Sequence, residues 1–224
     1  MLTNLPLHCN RAHPPYRSRP FMRIVSLFLA LSLCGAASLA HAGNEAVSPR
    51  LRLTEREAPR FEVAAETSYL WGSLANPNSY EVQANFITAR MRWGAIENDS
   101  WLRGFNQVYL LATVQPIVRG PENLYWGISA GFRYNFVQPG SRLVPYVSGG
   151  VGLGWIDSQA GVFGAQGQDF TFNILSALGV SYRASDRWQI TVGALYEHLS
   201  NGGQTIPNPS LNLFGPQVGF TYQF

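Results

Sequence analysis

The chain contains no lysine, and its few cysteines and histidines lie almost entirely near the N-terminus. Both cysteines, Cys9 and Cys34, precede residue 43, as do His8, His13 and His41. Residues 43–224 therefore hold no disulfide and a single imidazole, that of His198. A disulfide scaffold and a histidine–cysteine metal site are both excluded for that part of the chain. It also has no phosphate-binding glycine-rich loop and no coenzyme motif, so we expect no metal and no cofactor.

Residues 22–42 have the features of a secretory signal peptide. Met22 and Arg23 provide a positive start, and residues 24–33 form an apolar run that is too short to span a membrane. Ala40, His41 and Ala42 follow as a small-x-small cleavage signal. We interpret residues 1–21 as an upstream extension and the polar residues 43–60 as a periplasmic lead-in.

Charge is scarce once this leader is removed. Residues 1–42 contain four of the 16 basic residues and none of the 13 acidic ones, so the basic balance belongs to the leader. It is no indication of nucleic-acid binding. Residues 43–224 also lack a second long apolar stretch, so no transmembrane helix is expected. An exported, aromatic-rich chain of this kind indicates either a soluble β-sandwich or an outer-membrane β-barrel.

Apolar residues alternate with small or polar ones in eight segments that are separated by turn signals. The segments are residues 61–71, 80–93, 105–116, 124–136, 143–156, 170–182, 188–200 and 212–224. Each is long enough to cross a bilayer at a tilt of roughly 45°. In the second segment the apolar set changes parity near Phe86 and Ile87, which predicts a β-bulge.

The two faces of these segments favour a membrane barrel over a soluble one. Aromatic side chains stand near the strand ends on the apolar face, as in interfacial girdles: Trp71, Trp126, Trp155 and Trp188. The opposite face is small and polar and would fill a narrow lumen. Its charged members are expected to form an interior network: Glu62, Glu66, Arg133 and Arg183.

The last segment ends in alternating apolar residues and a terminal Phe224, which resembles the signal read by the barrel-assembly machinery. We therefore predict an all-β fold: an eight-stranded antiparallel transmembrane β-barrel of the outer-membrane type over residues 61–224. A soluble sandwich or a lipocalin-like barrel is the alternative.

His198 and Ser200 share the apolar, lipid-facing side of the seventh segment. They lie about 6.6 Å apart along the strand. Polar groups facing lipid are costly, so this pair calls for a function. With a periplasmic N-terminus the pair is at the outer rim, and Asn212 begins the next strand on the same face.

A serine and a histidine in this arrangement suggest nucleophilic catalysis. An imidazole can take the proton of the Ser200 hydroxyl, and Asn212 could hold the other ring nitrogen. Oxyanion donors would come from the following loop. The candidates are Asn201, Gly202, Gly203 and Asn208.

At these residues the sequence resembles the lipid A 3-O-deacylase (PagL-type) family. The resemblance rests on Y-x-H-x-S-N-x-G at residues 196–203, P-N-P at 207–209 and a final aromatic strand. It implies an eight-stranded outer-membrane barrel that hydrolyses the ester-linked acyl chain at position 3 of lipid A. Ser200 and His198 would then be catalytic, on the exterior, with lipopolysaccharide as substrate.

One departure concerns the third catalytic residue, which is typically a glutamate in that family and is Asn212 here. Outer-membrane phospholipase A, a calcium-dependent barrel, has a similar H-x-S pair with asparagine as third member. A phospholipase A-type acyl hydrolase is therefore one alternative function. The other is a non-catalytic barrel for adhesion or envelope integrity. A homodimer is compatible with the sequence.

Overall fold

A computed structural model describes residues 60–73, 79–97 and 100–224 of the chain. The predicted leader and most of the lead-in, residues 1–59, lie outside the described residues. Eight β-strands are present: β1 (Phe61–Ser73), β2 (Ser79–Ile96), β3 (Gly104–Arg119), β4 (Leu124–Phe136), β5 (Leu143–Ile156), β6 (Phe170–Arg183), β7 (Trp188–Ser200) and β8 (Leu211–Gln223). The described ranges include no helix that is long and apolar enough to span a membrane.

Each strand pairs antiparallel with the next, and β1 pairs with β8, so the sheet closes into a barrel. Closure leaves no sheet edge, which is the condition for β-strands to cross a bilayer. We call the end where β1, β3, β5 and β7 finish the upper end, and the opposite end the lower end. The upper end carries the loops 120–123, 157–169 and 201–210.

The period-2 pattern sorts side chains between lipid and lumen as predicted. On β8, for example, Phe214 and Val218 face outward and are about half exposed, whereas Leu213 and Gln217 are buried inside. The predicted girdle tryptophans all face outward, and Trp126 stacks on Trp155 with ring centroids 4.6 Å apart. Trp93 and Trp101 are also exposed, near the lower end.

The lower half of the interior is charged and centred on Arg90. This guanidinium donates to Glu66 Oε1 at 2.6 Å and lies 3.5 Å from Glu62. Glu66 also accepts a hydrogen bond from the Thr88 hydroxyl at 2.9 Å. Arg133, a second buried arginine, donates to Asn135 and Ser181. Of the predicted network, Glu62, Glu66 and Arg133 are buried in the interior, whereas Arg183 is half-buried and its Nε and Nη2 have no hydrogen-bond partner among the described residues. The central cation, Arg90, is one that the sequence pattern did not single out.

The upper half of the interior is only partly the expected polar lumen. Gln115 donates to Glu197 there, and Asn173 donates to the Tyr125 hydroxyl. The rest is apolar and includes Leu70, Tyr80, Val82, Leu199, Leu211 and Leu213. Where the two halves meet, a cavity of about 30 Å³ remains, bounded by Arg90, Tyr109 and Leu195 among others. That is room for one or two water molecules. Side chains of the described residues therefore occupy the lumen both above and below this cavity.

The predicted bulge at Phe86 and Ile87 is wrong. The ladder with β1 is continuous there, and the shifts in register with β3 fall at Glu81/Val82 and Arg92/Gly94. The sequence changes parity because Phe86 is an inward, buried member of the apolar upper core, while Ile87 faces lipid. A filled lumen takes apolar residues on both faces of a strand, which blurs the alternation.

Candidate active site

His198 and Asn212 meet on the outer surface of the barrel. The two residues are direct partners in the β7–β8 ladder, so their side chains project side by side from the same face. His198 Nδ1 lies 2.9 Å from Asn212 Oδ1, within hydrogen-bond distance. Asn212 is exposed and His198 is half-buried. The outward orientation that parity predicted for these two residues is the one observed.

Ser200 is the last residue of β7 and lies on the same face as His198, half-buried, with Phe172 of β6 as its neighbour across the ladder. Both residues are described by the structure, and no direct hydrogen bond joins Ser200 to His198. Hydrogen bonds between catalytic groups are often long without substrate and shorten in the complex. The two residues thus lie on one face, next to each other along the strand, and Asn212 lies within hydrogen-bond distance of the imidazole.

Tyr196 is an additional member of this cluster that the sequence did not assign a role. Its hydroxyl donates to Asn212 Oδ1 at 2.7 Å. The Asn212 amide nitrogen in turn donates to the Ser210 carbonyl at 3.2 Å. Two signals were available: Tyr196 opens the Y-x-H-x-S-N-x-G motif, and it precedes His198 by two residues and so shares its face.

The loop after Ser200 divides the four predicted oxyanion donors into two groups. Asn201 is fully buried, its N–H donates to Asn208 Oδ1 at 3.1 Å, and its side-chain amide donates to the Thr205 and Pro207 carbonyls. The N–H of Gly203 donates to Asn201 Oδ1. These bonds shape the loop and argue against Asn201 and Gly203 as direct oxyanion donors.

The other two candidates keep a donor available. Among the described residues, neither the Gly202 N–H nor the Asn208 amide nitrogen donates a hydrogen bond to a protein acceptor. Gly202 and Gly203 have positive φ angles of 66° and 76°, a backbone conformation that residues other than glycine rarely adopt. The turn therefore needs both glycines, whichever of them contacts a ligand.

A second loop, residues 157–169, supports the loop of the site. The Gly167 N–H donates to the Pro207 carbonyl at 2.8 Å, and Gln168 contacts Gln204 and Thr205. A Cβ at position 167 would lie 2.9 Å from the backbone of Ile206, so only glycine permits this approach. The shape of the loop after Ser200 thus depends on a segment that is distant in sequence.

Loop 157–169 is itself held by carboxylates on either side. Glu122 accepts a hydrogen bond from the Gln166 N–H at 2.7 Å, and burial raises the pKa of its carboxyl above the ordinary value. Asp157 accepts from the N–H groups of Asn123 and Leu124 at 2.7 and 2.8 Å. Burial alone would raise the pKa of Asp157, but hydrogen bonds from the Asn123 side-chain amide and from these two N–H groups outweigh it and lower that pKa. The upper loops form one connected set.

The lowered pKa of Asp157 predicts a loop contact that weakens in acid. A group whose folded-state pKa is depressed stabilises the fold above its unfolded value, near 3.8, and loses that contribution as the pH falls through the folded pKa. At neutral pH, Asp157→Asn should lower the protection of the Asn123 and Leu124 amides in hydrogen exchange. As the pH falls below 3.8 and through the folded-state pKa of Asp157, the difference in protection between parent and variant should shrink. Asp186→Asn, the same charge change at the lower end, is the control, and equal protection in parent and Asp157→Asn at neutral pH would contradict the prediction.

Within the described ranges, no group of three or more histidine, cysteine, aspartate or glutamate side chains is placed to hold a metal ion. The site is instead one imidazole, one primary alcohol and amides at the upper rim. Fold and site together define an eight-stranded β-barrel of the outer-membrane type with a polar side-chain cluster on its lipid-facing surface.

Comparison with known proteins identifies the family. A family model described as "Lipid A 3-O-deacylase (PagL)" matches residues 78–221, more than half of the chain. The chain belongs to this family. No curated protein matches it in sequence.

Two solved structures share the fold. The crystal structure of the outer membrane enzyme PagL matches with a TM-score of 0.52 and 16% identity, over 70% of this chain and 97% of that one. Neisserial surface protein A matches with a TM-score of 0.54 and 18% identity, over 73% of this chain and 97% of that one. At these identities the likeness concerns the barrel alone.

Proposed function

We propose that this protein is a serine esterase that removes the ester-linked 3-hydroxyacyl chain at position 3 of lipid A. The observation that supports it best is the His198–Asn212 hydrogen bond on the lipid-facing surface, beside Ser200. Placing an imidazole and an amide against hydrocarbon costs free energy, so such groups on a lipid-facing surface indicate a functional role. Family membership supplies the substrate class.

In the proposed reaction Ser200 Oγ attacks the ester carbonyl carbon while His198 Nε2 takes the hydroxyl proton. The tetrahedral intermediate collapses by breaking the bond to the sugar oxygen, which receives the proton from His198. Deacylated lipid A leaves and the acyl chain stays on Ser200. A water molecule, deprotonated by the same imidazole, then hydrolyses this ester and releases a free hydroxy fatty acid.

Asn212 has a narrower role than a carboxylate would have. Its Oδ1 accepts from the His198 Nδ1–H and so leaves the Nε2 lone pair for Ser200. A neutral amide gives less electrostatic stabilisation to the imidazolium formed during the reaction than an acid does. Glu197 does not take that part, because it is buried in the lumen and accepts from Gln115.

The oxyanion of the tetrahedral intermediate would be bound by the Gly202 N–H and the Asn208 side-chain amide. Both belong to the loop after Ser200, and both retain a free donor. Backbone and amide donors aimed at developing charge are a large contribution to acyl-transfer catalysis.

The upper end would face the cell exterior, where lipopolysaccharide forms the outer leaflet. Trp71, Trp126 and Trp155 ring this end and match the polar–apolar boundary of that leaflet. The substrate would reach Ser200 by lateral diffusion, with its acyl chains along the outer wall. The aromatic end of β8 supports insertion by the barrel-assembly machinery.

The proposal is tested by expressing the protein in a Gram-negative host and measuring its lipid A by mass spectrometry. We expect a new species that has lost the mass of one ester-linked hydroxyacyl group. Release of fatty acid from phospholipid vesicles instead, especially with a calcium requirement, would favour a phospholipase A-type hydrolase. Unchanged lipid A together with no phospholipid hydrolysis would leave a non-catalytic barrel.

A further inference from the structure

The Asn212 side chain can present either of two faces to His198, and only one of them suits a catalytic base. With Oδ1 toward the ring, Asn212 accepts a proton from Nδ1–H, and Nε2 keeps its lone pair. With the amide reversed, Nδ2 would donate to Nδ1, the ring proton would lie on Nε2, and Ser200 would have no acceptor. A carboxylate has no such wrong orientation, since both of its oxygens accept.

Two contacts distinguish the faces of this amide. The Ser210 carbonyl accepts from Nδ2 at 3.2 Å, and a reversed amide would set two acceptors against each other there. The Tyr196 hydroxyl donates to Oδ1 at 2.7 Å, the shorter of the two bonds. Since His198 Nδ1 lies 2.9 Å from the same Oδ1, this oxygen receives two donors at once.

From this geometry we infer that Tyr196 is a positioning residue that fixes the orientation of Asn212 and, through it, the tautomer of His198. The inference rests on the proposed esterase function for its effect on rate. The placement of Tyr196 is itself a product of the ladder: it lies one outward position below His198 on β7, next to Phe214 of β8. From there its hydroxyl reaches up to the Asn212 side chain.

A direct test is the tautomer of His198, read from ¹⁵N chemical shifts of histidine-labelled protein at a pH where the ring is neutral. The His198 signals are assigned by their loss in His198→Asn. We expect the Nδ1–H form in the parent protein and a shift of population toward Nε2–H in Tyr196→Phe. In the isosteric Asn212→Asp background, Tyr196→Phe should leave the Nδ1–H form in place.

Kinetics give the second readout. Tyr196→Phe should lower kcat about tenfold, the factor that corresponds to the loss of one hydrogen bond of about 1.4 kcal/mol, with KM changed less than about twofold. In the Asn212→Asp background the same substitution should cost less than about threefold. Tyr182→Phe, which removes another outward hydroxyl of similar exposure at the lower end, should leave both constants unchanged.

The outcomes separate the two proposals. An unchanged tautomer in Tyr196→Phe would overturn the role of Tyr196, and so would an equal loss of kcat in both backgrounds or a change confined to KM. If the parent protein leaves lipid A intact, the proposed function fails, while the labelled-histidine comparison still decides whether Tyr196 sets the tautomer. Heat-modifiable gel mobility confirms that each variant forms the barrel.

Discussion

Ser200→Ala is expected to abolish lipid A deacylation, with a loss of at least about 10³-fold in kcat. Alanine carries no nucleophilic group. When a catalytic serine is removed, the only catalysis left is what the oxyanion donors and substrate binding provide. The measurement is the fraction of lipid A that has lost one hydroxyacyl group after expression of equal amounts of parent and variant. His198→Ala should be equally inactive, because the two residues act as one unit.

The control for this variant is Ser176→Ala, which removes a second exposed, outward-facing serine on the neighbouring strand β6, opposite Tyr196 in the ladder. It should deacylate at the parent rate. Both variants should fold, because neither position lies in the filled interior. Parent-like deacylation by Ser200→Ala would refute the serine mechanism. The side chains at the site would then be only an interfacial hydrogen-bond cluster.

Arg90→Met is expected to lower the free energy of unfolding by about 3–5 kcal/mol. Arg90 is 5% exposed and is the cation that neutralises both Glu66 and Glu62 inside the barrel. Its removal leaves two buried carboxylates without the one cation that contacts them directly, which costs far more than the ion pair itself contributes. Urea unfolding of the protein reconstituted in lipid vesicles measures the difference.

Two further variants test the reason for this loss. Arg119→Met breaks the ion pair with Glu81 at the barrel surface, where the side chains are 61% and 31% exposed, and should cost about 0–1 kcal/mol. Combining Arg90→Met with Glu62→Gln and Glu66→Gln removes the uncompensated charges and should recover part of the lost stability. If the triple variant is no more stable than Arg90→Met, packing around the guanidinium rather than charge is the cause.

The number of strands was predictable because residues facing lipid must be apolar while the alternate residues face the lumen. The side of the strand on which each residue lies, including the outward position of His198, follows from the same alternation. It failed where the lumen is apolar: Phe86 looked like a bulge, and Arg90 was not recognised as an interior charge. A filled interior accepts both apolar and ion-paired residues, so the sequence of β2 alone does not reveal which side faces lipid.

The positions of the site residues on the strands were predictable from the sequence, but the hydrogen bonds of the loop residues were not. His198, Ser200 and Asn212 share a face by parity and because β7 and β8 are consecutive antiparallel strands. The commitment of Asn201 and Gly203 to the loop, by contrast, depends on how the residues between the two strands fold. The support from Gly167 depends on a contact between separate loops, for which one sequence carries no local signal.

The filled lumen also bears on the permeability of the envelope. Among the described residues, buried side chains occupy the lumen, and the cavity at mid-height holds one or two waters. We therefore expect the protein to add little leakage to the outer membrane even when many copies are present. In the proposed reaction, the released acyl fragment would depart sideways, through the surrounding lipid, rather than through a channel.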